Sequence, residues 1–356
     1  MQCNLYIHIP YCVKKCNYCA FYSRCDAPDW MRYTSEILAQ ISYWREKLGR
    51  VKISTIFFGG GTPSLMPTKN FAQIMNAVRE NFDMAADAEI TLEANPKTLD
   101  TTRLREFISG GVNRISIGVQ SLNDNELQFL GRIHGARDAL DLINAALGEG
   151  LRVSADFIYG LPGQGADDIH KMCGDINALG LEHASLYELT IEPNTLLARQ
   201  NPKMPDNETM ATMYEIIGTE LSLPRYEVSN YGTPCVHNQN VWDGAPYIGL
   251  GDGAAGRVFM SDDWYETRVK DGKIISQKLS TRERAIEKVL TGLRTTRGVL
   301  LTDDVIDVIK YSDIKISALG GGVDFCISKN TGRGNTQRLF VNNFLLLDSI
   351  LVKLIK

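Results

Sequence analysis

No stretch of this 356-residue sequence is apolar over the roughly 20 residues that a membrane helix needs, and no basic segment leads into a signal-like apolar core at the N-terminus. Charge of one sign is also lacking. The 38 Lys and Arg residues stand against 42 Asp and Glu, which leaves no electrostatic footprint for nucleic acid or an anionic membrane. These absences predict a soluble, cytoplasmic protein with no membrane span and a small-molecule or protein partner. A disulfide framework is missing as well. Of eight cysteines, five are scattered (Cys3, Cys25, Cys173, Cys235 and Cys326), a usage that fits a reducing compartment. Neither a low-complexity tract nor a long-period repeat is present.

What is there is an ordinary globular composition, 44% hydrophobic and 22% charged, with room for one large domain and a small one. The chain's most chemical stretch is Cys12-Val-Lys-Lys-Cys16-Asn-Tyr-Cys19, directly after the apolar run from Leu5 to Ile9. Three thiols on one short loop can turn toward a single soft metal centre. An iron-sulfur cluster takes four thiolates as a rule, so three leave one iron open to an outside ligand. A zinc site short of one ligand, or cysteines buried by chance, are the alternatives. Cys25, six residues beyond Cys19 in a polar stretch, reads as a free thiol.

Short β-rich runs alternate with helical patterns through the first 200 residues, which predicts βα units around a parallel sheet. Strands are expected at 5–9, 53–58, 89–93, 114–119, 153–158 and 184–189. Helices are expected at 30–48, 68–81, 100–109, an interrupted pair over 124–147, and 167–179. Six repeats predict an α/β fold of the incomplete TIM type, a (β/α)6 barrel. In such a fold the chemistry collects where strands run into loops. The cysteine loop follows strand one and Gly59-Gly-Gly-Thr-Pro63 follows strand two. Glu93 and Gln120 end strands three and four, and Asp156 lies in strand five. The glycine run lacks both the GxGxxG spacing and a Walker lysine, so it is no phosphate cradle, although bare backbone can approach a ligand closely. Taken singly, Glu93, Gln120, Arg132 and Asp156 read equally well as capping or surface groups. Their shared position makes them a set.

Beyond residue 200 the alternation fades. A helix is expected over 206–221, capped by Asp206 or Asn207, then a turn-rich accessory segment to about residue 260. Within it His237 stands near Tyr231, Trp242 and Tyr247, a combination suited to a flat ligand such as a porphyrin, or simply to packing. Residues 261–356 are expected to form a small, mostly helical domain of winged-helix type. Its helices would cover 281–295, 302–310 and 344–355, with Gly320–Gly322 and Gly332–Gly334 in loops.

Several of these stretches together resemble one family. Tyr6-Ile-His-Ile-Pro10, the cysteine triad, Phe58-Gly-Gly-Gly-Thr-Pro63, Glu93-Ala-Asn-Pro96, Ser116-Ile-Gly-Val-Gln120, Gly131-Arg-Ile-His134 and Asp156-Phe-Ile-Tyr-Gly-Leu-Pro162 are similar to radical S-adenosylmethionine proteins. The nearest group holds oxygen-independent coproporphyrinogen III oxidase and its HemW-type relatives, and the likeness runs from about residue 4 to 310. The resemblance implies a 4Fe-4S cluster on Cys12, Cys16 and Cys19, whose open iron takes the amino and carboxylate groups of S-adenosylmethionine. It implies that Tyr6 and Tyr18 lie beside this cofactor and that Gly60, Gly61 and Thr62 hold its methionine end. Glu93, Gln120, Arg132 and Asp156 would bind its polar groups, and a flavodoxin or ferredoxin would supply the electron.

Within the group, the oxidase pattern has a further cysteine where this chain has Phe21, and an extension ahead of Tyr6. Both differences point to the HemW type, heme-binding chaperones that hand heme to acceptor proteins. Their His-Asn-x-x-Tyr-Trp mark reads His237-Asn238-Gln-Asn-Val241-Trp242 here, and a later family histidine is replaced at Ala255. His237 is left as the strong heme-ligand candidate. The alternative is the decarboxylase itself, acting on coproporphyrinogen.

Overall fold

The structure is a computed structural model that describes residues 1–310, 325–327 and 337–355. The two expected glycine loops, at 320–322 and 332–334, lie outside the described residues. The first half alternates β1 (Gln2–Ile9), α1 (Trp30–Leu48), β2 (Lys52–Gly60), α2 (Thr68–Asn81), β3 (Asp83–Ala94), α3 (Thr101–Ser109) and β4 (Arg114–Gln120). It continues with α4 (Asp124–Phe129), α5 (Ala136–Gly148), β5 (Arg152–Tyr159), α6 (Ala166–Ala178) and β6 (His183–Glu188). Helix starts follow local chemistry. Asp29 and Asp100 accept the backbone N–H of Arg32 and Arg103, three residues on, which satisfies donors that the first turn leaves orphaned.

The six strands β1 to β6 pair in parallel in chain order. Side chains alternate across a strand, and here the two faces differ in chemistry. Leu5, Ile7 and Ile9, then Ile56 and Phe58, then Ile115, Ile117 and Val119 belong to one large core packed under the helices. The opposite face carries Asn4, Tyr6 and His8, then Thr55 and Phe57, then Glu89 and Glu93, Ser116, Ser154 and Asp156, joined by side-chain hydrogen bonds or opening on cavities. Apolar burial therefore faces outward to the helices, and the concave side of the sheet is polar.

The barrel is incomplete. After β6 come α7 (Leu196–Gln200), α8 (Asn207–Glu220, capped by Asp206), β7 (Asn230–Gly232), α9 (Val236–Trp242), β8 (Tyr247–Leu250), β9 (Ala255–Met260), β10 (Asp263–Lys270) and β11 (Lys273–Leu279). β7 pairs antiparallel with β6, while β8 pairs parallel with β1 on the other side. The result is one 11-stranded mixed sheet, ordered β11-β10-β9-β8-β1-β2-β3-β4-β5-β6-β7.

Two expectations change here. Residues 236–242, read as turn-rich, form α9. Residues 263–279, expected at the start of a helical module, form the hairpin that ends the large sheet, so the boundary drawn at 260 cuts a β-meander. Its turns explain the geometry: Ser261 and Asp262 have φ of 50° and 64°, and Asp271 and Gly272 have 50° and 73°. Both central residues with positive φ make the primed turns that join tightly twisted hairpins.

Past the meander, α10 (Thr281–Gly292), β12 (Val299–Leu300), α11 (Asp303–Lys310), β13 (Phe325–Ile327), β14 (Arg338–Val341) and α12 (Leu347–Ile355) follow. Ala285, Val289, Leu293, Val305, Leu339 and Ile350 share a second, smaller core, and the strands pair as β12-β14-β13. This part mixes helix with a small antiparallel sheet.

Candidate functional site

Two cavities open on the concave face. The first, of about 530 Å³, is lined by Cys12, Cys16, Cys19, Tyr18, Gly60, Gly61, Thr62, Glu93, Gln120, Arg132 and Asp156. Residues spread over a hundred and forty positions of sequence thus meet at the strand ends, together with Asn95, Ser116, Gly118 and Tyr187, to which no role was assigned from sequence.

The cysteine loop is held from both sides. Cys12 donates its backbone N–H to Arg24 O at 2.9 Å, and Asn17 donates to Leu130 O at 3.0 Å. Thr62 Oγ1 lies 3.5 Å from Cys12 Sγ, and Arg132 Nη1 lies 3.4 Å from Cys16 Sγ. Burial pushes the Cys12 and Cys19 thiols up from their ordinary value. Among the described residues no three His, Cys, Asp or Glu side chains converge tightly enough for a single metal ion.

Carboxylates occupy the other wall. Glu93 Oε2 accepts the Gly60 N–H at 3.0 Å, and Ser116 Oγ donates to Asp156 Oδ2 at 3.1 Å. Burial first, and the nearby Asp156 second, push the Glu93 carboxyl up to about 8; burial raises Asp156 too. A cation brought close to them would favour their ionised forms. Gly118 keeps the floor open: a Cβ there would stand 2.8 Å from Asn95 Oδ1, 2.9 Å from Gln120 Nε2 and 3.2 Å from Arg132 Nη2. Gln120 itself has φ of 69°, an unusual conformation for a residue other than glycine. Arg132 also donates to Gly118 O at 2.8 Å and to Asn95 Oδ1, which ties it to the loop more than to open space.

The second cavity, of about 490 Å³, lies beside the first and shares Phe21, Gly60 and Glu93 with it. Its walls are Tyr6, His8, Tyr22, Phe57, His237, Val241, Trp242, Tyr247 and Ala255. Tyr6, expected beside the cysteine loop's cofactor, lines this second cavity, its ring stacked on Phe57 and its hydroxyl 2.9 Å from His8 Nδ1. Gly60, with φ of 120°, leaves room for His8, whose ring a Cβ would meet at 2.7 Å. His237 is buried and pushed down to about 4 by that burial, so its imidazole is neutral at ordinary pH. Tyr231, grouped with His237 from sequence, is elsewhere: its hydroxyl accepts from Arg225 at 2.8 and 3.0 Å.

Glu89 explains how α9 is anchored. From β3 its carboxylate accepts the backbone N–H of His237 at 3.0 Å and of Val236 at 3.2 Å, and it pairs with Arg152 at 2.9 Å. Glu89 lies 147 residues before Val236, and no pattern in the sequence links the two.

An open parallel sheet with three loop cysteines and a polar, carboxylate-walled cavity at its strand ends defines a radical S-adenosylmethionine protein. The sequence profile of the Radical SAM superfamily matches residues 6–176. The solved structure of coproporphyrinogen III oxidase (HemN) from Escherichia coli superposes with a TM-score of 0.79 at 19% identity, over 100% of this chain and 90% of that one, which shows a shared fold. Heme chaperone HemW of Escherichia coli is 40% identical over 275 residues, 73% of this chain and 71% of that protein. HemW of Haemophilus influenzae is 38% identical over 268 residues, 72% of this chain and 70% of that protein. The chain belongs to the HemW family of the Radical SAM superfamily.

Proposed function

We propose that this chain is a heme chaperone that binds heme in the second cavity through His237 and delivers it to an acceptor protein. The observation that carries this reading is a neutral, buried histidine set among Tyr6, Phe57, Trp242 and Tyr247 on the wall of a cavity of ligand size. Flat aromatic walls suit a porphyrin, and imidazole suits its iron. Val241 and Ala255 line the same cavity, so both departures from the family motif make its wall smaller and more apolar there.

The first cavity fits the cofactors of the superfamily. Cys12, Cys16 and Cys19 would hold a 4Fe-4S cluster, and Glu93, Gln120 and Asp156 would take the polar groups of S-adenosylmethionine over the bare backbone of Gly60 and Gly61. When bound, the pair supplies one-electron chemistry. The chain's own contribution is to orient: Arg132 and Thr62 brace the cysteine loop, Glu93 couples the glycine turn to the carboxylate wall, and Phe21 stands at the rim common to both cavities. A flavodoxin or ferredoxin would be the electron donor.

The oxidase alternative is separated by turnover and transfer. Anaerobically reconstituted protein given coproporphyrinogen III, S-adenosylmethionine and a reductant is expected to form no protoporphyrinogen IX. Heme-loaded protein mixed with a heme-depleted acceptor is expected to lose its Soret band as the acceptor's grows. Product formation in the first assay, with no transfer in the second, would establish the oxidase.

A further inference from the structure

Two histidines line the second cavity, and their hydrogen bonds give them opposite standing as ligands. His8 Nε2 lies 2.8 Å from Tyr22 O, and a carbonyl can only accept, so that nitrogen carries the proton. His8 Nδ1 then accepts from the Tyr6 hydroxyl at 2.9 Å. Neither nitrogen is left to bind anything.

His237 is arranged differently. Its Nδ1 lies 2.7 Å from Thr55 Oγ1, and either atom could be the donor in isolation. The neighbours decide. Asn4 presents its Nδ2 to Pro246 O at 3.1 Å, which fixes the amide orientation because that carbonyl has no hydrogen to give. Asn4 Oδ1 therefore faces Thr55 Oγ1, at 2.8 Å, as an acceptor. Thr55 has one hydroxyl hydrogen and must donate it there. Its oxygen can then only accept from His237, so the imidazole is protonated on Nδ1. Nε2, which makes no hydrogen bond among the described residues, keeps its lone pair in a ring that lines the cavity. The relay is written into the sheet, since Asn4 and Thr55 are direct partners in the β1–β2 register.

We propose that Thr55 and Asn4 are positioning residues that hold His237 as the Nδ1–H tautomer, with Nε2 as the nitrogen that takes the heme iron. The inference rests on the reading of His237 as heme ligand. Histidines that bind metals generally donate their other N–H to such a partner, which fixes ring orientation and raises basicity.

The test begins on heme-free protein labelled with 15N-histidine, where nitrogen chemical shifts report the tautomer. Wild type and Thr55→Ser are expected to show His237 protonated on Nδ1. Thr55→Val removes the acceptor, and Asn4→Leu frees the Thr55 hydrogen to turn toward His237; both are expected to shift the ring toward Nε2–H. Heme titration should then show about ten-fold or greater weakening in Thr55→Val and Asn4→Leu, with Thr55→Ser close to wild type. A wild-type His237 protonated on Nε2 would overturn the relay, and needs no variant to be seen. So would equal affinity in the Val and Ser variants. If the tautomers behave as expected but His237→Ala still binds heme like wild type, the relay stands and the ligand assignment falls.

Discussion

Glu93 illustrates how a single side chain can carry both stability and binding. Its carboxyl, pushed up to about 8, keeps a proton that the unfolded chain would have released near the usual carboxylate value. A folded state that binds more protons than the unfolded one loses stability as pH rises, here through the window from about 4.5 to 8. In the cofactor-free protein, Glu93→Gln should therefore gain melting temperature relative to wild type as pH climbs through that window, with little difference at the acid end. Parallel thermal scans across pH check this; a constant gap would mean that Glu93 is already ionised. S-adenosylmethionine should show the complementary trend, binding wild type better as Glu93 ionises. The cysteines give a simpler expectation. Cys16→Ser, which also strips Arg132 of its sulfur contact, should lose the cluster's brown absorbance and most bound iron and sulfide after reconstitution. Full iron content in that variant would refute the ligand set. These residues were legible because chemistry at strand ends follows chain order; Asn4 and Thr55 were not, because their meaning depends on which atoms face each other across a strand pair.

At the level of elements, α9 shows why the accessory segment was hard to read. A seven-residue helix has too few turns for a periodic pattern, and its anchoring carboxylate comes from β3. Replacing Glu89 by alanine removes two N–H acceptors and leaves Arg152 with Glu182 as its remaining carboxylate partner. We expect a loss of about 3 kcal/mol in denaturant unfolding, the usual scale for breaking a buried pair, and weaker heme binding because His237 begins that helix. A loss under about 1 kcal/mol would show that packing alone holds α9. The long helices were the reverse case: α1 and α2 span 30–48 and 68–81, the ranges expected from their helical patterns. The β10–β11 hairpin was signalled by Asp271-Gly272, but its strands are half-exposed and lack the apolar runs that marked β1 to β6.

Over the whole molecule, the failure of the sheet to close creates the arrangement that matters. β8 takes the place beside β1 that a closing strand would hold, and it brings Tyr247 and the preceding α9 to the flank of the cysteine cavity. Two cavities of similar size then share Gly60, Glu93 and Phe21. Ligands that touch the same residues are placed to influence one another, and any such influence is equal in both directions. S-adenosylmethionine is thus expected to change heme affinity, and heme to change that of S-adenosylmethionine by the same factor, measurable by titrating each in the presence of the other; heme affinity unmoved by saturating S-adenosylmethionine would place the heme away from the shared residues. The central claim, that the second cavity is a heme site with His237 on the iron, meets its most direct test in a heme titration of anaerobically purified wild type beside His237→Ala, followed by Soret absorbance. Saturable binding with a Soret band that the variant loses is the predicted result. Wild type and variant binding alike, or neither binding, would contradict it.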